Sequence, residues 1–62
     1  MILIFAFSLV IETWEKANEA YRNENFSTAL SYYDSLIVMG LKNPYLYYNL
    51  GNTYYKLGKL GN

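Results

Sequence analysis

Glu12, Glu15 and Glu19 recur three and four residues apart, a spacing that on a helix brings carboxylates onto one face. Clustered carboxylates are the raw material of acid-base chemistry or of a divalent-cation site. Nothing else in the chain completes either one. Histidine and cysteine are absent, which removes imidazole bases, thiolate nucleophiles and the commonest zinc ligands. Ser27, Ser31 and Ser35 carry hydroxyls without a base to activate them. Lys16 follows Glu12 by four residues and Arg22 follows Glu19 by three, so the same carboxylates read as a solvated, ion-paired surface. The expectation is a non-enzymatic chain with no catalytic residue, no metal and no cofactor.

A second set of polar residues points to recognition instead. Asn18 and Asn52 are each followed four residues later by a cation, Arg22 and Lys56. An asparagine amide can bond a peptide backbone, and the cation can meet a carboxylate. Aromatic residues accompany them: five of the eight tyrosines fall between Tyr45 and Tyr55. Five basic residues balance five acidic ones, so no net field draws the chain toward nucleic acid. Without cysteine there are no disulfides, and stability must come from packing alone.

The elements that hold these residues are helices, and 62 residues leave room for one domain. Phe26, Ala29, Leu30, Tyr33, Leu36 and Ile37 form a single apolar stripe at helical spacing, predicting a helix over residues 26–39. Asn25 is placed to cap its start, and Gly40 to take the left-handed conformation past its end. Asn25-Phe26-Ser27 is formally an N-glycosylation acceptor, but capping is the better use of that asparagine. Asn43-Pro44 marks a third helix with asparagine at the cap and proline at the first helical position. It carries Tyr47, Leu50, Tyr54 and Leu57 on one face, Tyr45, Tyr48, Asn52 and Tyr55 on another, and Gly58 as its stop. The first helix presents Trp14, Ala17 and Tyr21 on one side and ends near Asn23. Its start merges into residues 1–11, an uncharged run too short to cross a bilayer by itself. That run reads either as a secretory signal or anchor remnant, or as an extension of the first helix buried against the others or against a second copy.

The helices carry a repeat. Tyr47-Tyr48-Asn49-Leu50-Gly51-Asn52-Thr53-Tyr54 has the order aromatic-x2-Leu-Gly-x2-Tyr, and Ala29-x3-Tyr33 has the order Ala-x3-aromatic. These motifs resemble the two helices of a tetratricopeptide repeat. From Ala29 to Tyr47 is 18 residues, the separation that a period of about 34 requires between those motif places. Shifted by one period, Ala17 pairs with Gly51, Asn18 with Asn52, Tyr21 with Tyr55 and Arg22 with Lys56. The first repeat departs from the pattern: Thr13 and Lys16 replace the opening aromatic and leucine, Leu36 replaces an alanine, and Leu41 stands where a proline is usual. The strings from Lys16 to Tyr21, from Phe26 to Leu30 and from Tyr47 to Gly58 also look like the repeat proteins of bacterial aerotolerance operons.

The resemblance implies an all-α fold: a degenerate first repeat over residues 12–43 and the first half of a second over 44–62. Its three antiparallel helices would form a right-handed solenoid fragment. The repeat core would comprise Ala17, Phe26, Ala29, Leu30, Tyr33, Tyr47, Leu50, Gly51, Tyr54 and Leu57, with Gly51 letting another helix approach closely. A peptide or partner protein would lie in a concave groove made by Trp14, Asn18, Tyr21 and Arg22 with Tyr45, Tyr48, Asn52, Tyr55 and Lys56. Trp14 replaces the lysine that carboxylate-clamp members place before the first asparagine, which favours an apolar or aromatic partner. The family's next helix would follow Asn62, so the isolated chain is expected to self-associate or to be marginally folded. The aerotolerance likeness further implies a bacterial envelope location, with membrane contact through residues 1–11; a cytoplasmic location is the alternative. The competing function is a membrane-anchored assembly protein that oligomerises through exposed apolar faces.

Overall fold

Where a helix must stop, this chain uses a residue with positive φ, and two such residues divide it into three helices. A computed structural model describes the backbone of residues 2–61 and the side chains of residues 7–58. The helices are α1 (Ile2–Arg22), α2 (Phe26–Val38) and α3 (Pro44–Gly61), and among the described residues there is no strand. The all-α expectation holds. Helix α2 packs against both α1 and α3.

The α1–α2 turn is built on Glu24 at φ 63°. Its N–H donates to the Tyr21 carbonyl, and the Asn25 N–H to the Ala20 carbonyl, closing the paired bonds of a Schellman ending. A non-glycine residue there stores roughly 1 kcal/mol of backbone strain. The α2–α3 turn repeats the device with Gly40 at φ 92°: the Gly40 N–H donates to Ile37 and the Leu41 N–H to Leu36. Leu41 also packs against the core, the apolar contact that accompanies this motif. Residue type announces the turn at Gly40. It does not at Glu24, because glutamate carries no turn signal.

Helix starts follow the expectation at one end and depart from it at the other. Asn43 Oδ1 accepts the Tyr45 N–H at 2.8 Å, so the Asn43-Pro44 start is capped as its residue types require. Asn25 occupies the cap position of α2, and its backbone carbonyl accepts from Ala29, but its side chain makes no capping bond. Its own N–H is committed to ending α1, and that double duty sets the backbone at φ −88°, ψ 72°. Helix α3 runs through Gly58 to Gly61 instead of stopping there, and Met39 lies just past α2 as its cap.

Ala17, Ala20, Ala29, Tyr33, Leu36 and Leu46 form one buried cluster, with Phe26 buried beside it. The small residues Ala17 and Ala29, both at 0% exposure, let α1 and α2 approach closely. Of the expected repeat core, Ala17, Phe26, Ala29 and Tyr33 are buried, while Leu30, Leu50 and Leu57 are half-buried. Of the others, Tyr47 is 51% exposed, Tyr54 is 54% exposed, and Gly51 is exposed, with no neighbouring atom within 4 Å of the point where a side-chain methyl would stand. Helix α3 instead buries Leu46 and Thr53 completely and half-buries Asn49, Leu50 and Leu57, a stripe rotated away from the tyrosines. The Thr53 hydroxyl donates to the Asn49 carbonyl at 2.7 Å, which lets a polar side chain sit in that stripe without an orphaned group.

Helix α1 continues unbroken through residues 2–11, a backbone common to both readings of the N-terminal run. The burial expected with the helix-extension reading fails at Phe7, Leu9 and Ile11, all exposed, whereas Val10 packs on the core. The same expectation for the side chains of residues 1–6 lies outside the described residues. Among the described residues no helix is long and apolar enough to cross a membrane.

The two asparagine caps generate a paired prediction. Asn43→Ala lowers stability by about 1 kcal/mol in urea denaturation followed by circular dichroism. Asn25→Ala changes it by less than about 0.5 kcal/mol, since no side-chain bond is lost. Equal losses at both sites would contradict the capping geometry.

Candidate functional site

The residues expected to form a recognition face come from α1 and α3, and a buried phenol beneath them joins the two helices. Tyr33, on α2, is 1% exposed, and its hydroxyl donates to Asn18 Oδ1 at 2.6 Å. Asn49 Nδ2, from α3, lies 3.5 Å from the same oxygen. One residue from each helix therefore meets at a single polar junction, and it leaves no buried side-chain polar atom unsatisfied among the described residues. Trp14 closes the junction from α1, its ring edge-to-face with Tyr33 at 6.1 Å between centroids.

Burial pushes the Tyr33 phenol above its ordinary value near 10; the Asn49 side chain opposes the shift, Tyr21 adds to it and Arg22 lowers it. The neutral phenol is the form that the fold favours. The stabilisation is complete below the ordinary value and falls as pH climbs through the higher folded one, because the unfolded chain releases this proton first.

Each predicted face residue can now be placed. Tyr45, Tyr48, Tyr55 and Lys56 are exposed on α3 and Asn52 is half-exposed beside them. At about 100° per residue these five share one side of the helix, turned some 120° from its buried stripe. On α1 the picture differs. Asn18 is half-buried with its carbonyl oxygen engaged by Tyr33, so it offers a partner less than Asn52 does. Tyr21 packs edge-to-face on Phe26 at 5.3 Å between centroids, and Arg22 is exposed. The expected Glu19–Arg22 ion pair does not form; among the described residues the ion pair present is Lys16 with Glu12 at 3.2 Å. No cluster of three metal-ligating side chains occurs among the described residues.

Where the turn between α2 and α3 passes α1, an open apolar cleft of about 300 Å³ remains. Val10, Ile11 and Trp14 line its α1 wall, Leu41 and Asn43 the opposite wall, and Glu15 stands among the lining residues. The repeat pattern points to Trp14 alone of these. Val10, Ile11 and Leu41 read in sequence as members of the N-terminal run and of a loop, not of a site. The usable signal is spacing: Val10 and Ile11 precede Trp14 by four and three residues, which puts all three on one helix face.

The junction and the open glycine each make a measurable difference to stability. Tyr33→Phe costs about 1 kcal/mol, because Asn18 loses its short bond, and it flattens the fall in stability above about pH 10 measured by thermal melts. Retention of the full alkaline slope in the variant would contradict the role given to Tyr33. Gly51→Ala raises the stability of the chain by about 1 kcal/mol, since the added methyl meets nothing and alanine is the better helix former. An unchanged or lowered melting temperature would show that this position is not open.

No protein-family model, curated protein or solved structure matches the chain.

Proposed function

We propose that the chain is a non-catalytic protein-binding module of the tetratricopeptide type, in which α1 and α3 are the first helices of successive repeats and α2 is the second helix of the first. The partner is an extended or helical peptide lying across α1 and α3. The observation that carries this reading is the Trp14 cleft, an apolar recess at the head of the α1 row formed by Trp14, Asn18 and Arg22. A recess of that size takes one large apolar side chain, while Asn52 offers an amide to the peptide backbone and Lys56 a cation to a carboxylate. The face residues on α3 project outward, as a recognition surface requires. Trp14 and Tyr21 on α1 are held by Tyr33 and Phe26, which limits the ordering cost of binding.

Trp14 is the single tryptophan, so its fluorescence reports occupation of the cleft. The test is selection from a displayed library of random peptides, followed by fluorescence titration of the selected sequences. Selected peptides share a large apolar residue and shift the Trp14 emission. The double variant Tyr48→Ala, Asn52→Ala weakens them by more than ~10-fold with unchanged helicity. Failure to select any peptide, or selected peptides indifferent to the double variant, would sink this reading.

A further inference from the structure

The cleft between α1 and the α2–α3 turn carries two polar groups that its apolar walls do not explain. Glu15 lines it, is exposed, and makes no ion pair among the described residues. Glu12, one turn back, is matched by Lys16 at 3.2 Å, and Glu19, one turn on, stands outside the cleft. On the opposite wall Asn43 commits its Oδ1 to the Tyr45 N–H at 2.8 Å, which fixes the amide and leaves its Nδ2 without a partner among the described residues. An acceptor with a charge and an oriented donor therefore face each other across apolar surface.

We infer, on the peptide-binding reading above, that the cleft recognises a two-residue unit: a large apolar side chain that enters it, next to a lysine or arginine whose cation meets Glu15. Val10, Trp14 and Leu41 enclose the apolar side chain. Phe7, Ile11 and Glu15 follow at four-residue spacing along α1, so they form one row. Phe7 and Ile11 are exposed at 68% and 45%, and they give the aliphatic stem of the basic residue an apolar path to the carboxylate. Asn43 Nδ2 donates to a backbone carbonyl of the unit.

Charge also fixes which way the peptide lies. Leu57 lies beside Glu24 to Thr28 as Asn43 lies beside Trp14, so the far ends of α1 and α3 are neighbours. That far end carries the exposed cations Arg22 and Lys56. Arg22 follows Glu15 by seven residues on nearly the same line of α1, about 10 Å along the axis. A basic residue set there meets like charge, whereas at the cleft it meets Glu15. Other occupants leave Glu15 unmatched: the chain's own run over residues 1–11 is uncharged, and an acyl chain brings only apolar surface beside the carboxylate.

The test uses peptides selected by the full 62-residue chain and titrated through Trp14 fluorescence. They are expected to carry lysine or arginine beside the large apolar residue. Because Glu15 is exposed, replacing that basic residue by glutamine weakens binding only ~3–5-fold with the wild-type chain. With Glu15→Gln, whose helicity is unchanged, the same replacement costs less than ~1.5-fold. Glu15→Lys reverses the preference toward a glutamate neighbour, Glu19→Gln leaves it as in the wild type, and salt at ~0.5 M removes it. Selected peptides with the large apolar residue and no basic neighbour, or an undiminished loss with Glu15→Gln, would overturn this inference and leave the peptide-binding reading standing. Failure to select any peptide would overturn both. A Trp14 emission shift with protein concentration alone, or on adding phosphatidylcholine vesicles, would put a second copy or a lipid in the cleft and overturn this inference too.

Discussion

The Tyr33 hydroxyl is the interaction on which the three-helix arrangement turns. A buried phenol left unpaired costs on the order of 1–3 kcal/mol, a large share of what so short a chain can accumulate. Tyr33 avoids that cost by donating to Asn18, and the same oxygen receives Asn49 at longer range. Apolar packing alone would tolerate sliding of one helix along another. A hydrogen bond with a distance and a direction does not, so the junction sets the register of α1 and α3 over α2.

That register decides what each helix presents. With Asn18 drawn inward, Trp14 is held edge-on over Tyr33 and forms a wall of the apolar cleft, and Tyr21 rests on Phe26. Helix α3 shows three sides about 120° apart: a buried stripe through Leu46 and Thr53, a polar-aromatic side through Tyr48 and Asn52, and the Tyr47–Gly51–Tyr54–Gly58 stripe. Eight tyrosines in so small a chain therefore serve different ends. Tyr33 ties the helices together, Tyr21 packs on a neighbouring ring, and Tyr45, Tyr47, Tyr48, Tyr54 and Tyr55 stand at the surface.

The helices are legible in the sequence because their punctuation is local. Asn43-Pro44 announces a start, Gly40 a stop, and the stripe from Phe26 to Leu36 a buried face; each depends only on residues within one or two turns. The Glu24 turn is not legible, since a glutamate at positive φ is imposed by the two helices it joins and not by its own preference. The exposed side of α3 through Tyr48 and Asn52 can be read for the same reason as the helices, whereas the cleft beside Trp14 cannot. Its two walls are separated by some 30 residues and meet only after folding.

The orientation of α3 shows the division most sharply. Its sequence offers two apolar stripes that share Leu50 and Leu57, one completed by Tyr47 and Tyr54 and the other by Leu46 and Thr53. By hydrophobicity the tyrosine stripe is the stronger, and it is the one expected inside. The folded chain buries the other, because Thr53 satisfies its hydroxyl on the Asn49 carbonyl and Asn49 turns toward the Tyr33 junction. Composition, helical periodicity and capping residues by themselves determined that the chain is three helices, the last of them rich in tyrosine and free of acidic residues. Which side of each helix faces inward was decided only in the tertiary structure, where the buried Tyr33 hydroxyl bonds Asn18 on α1 and Asn49 of α3 reaches that same asparagine oxygen.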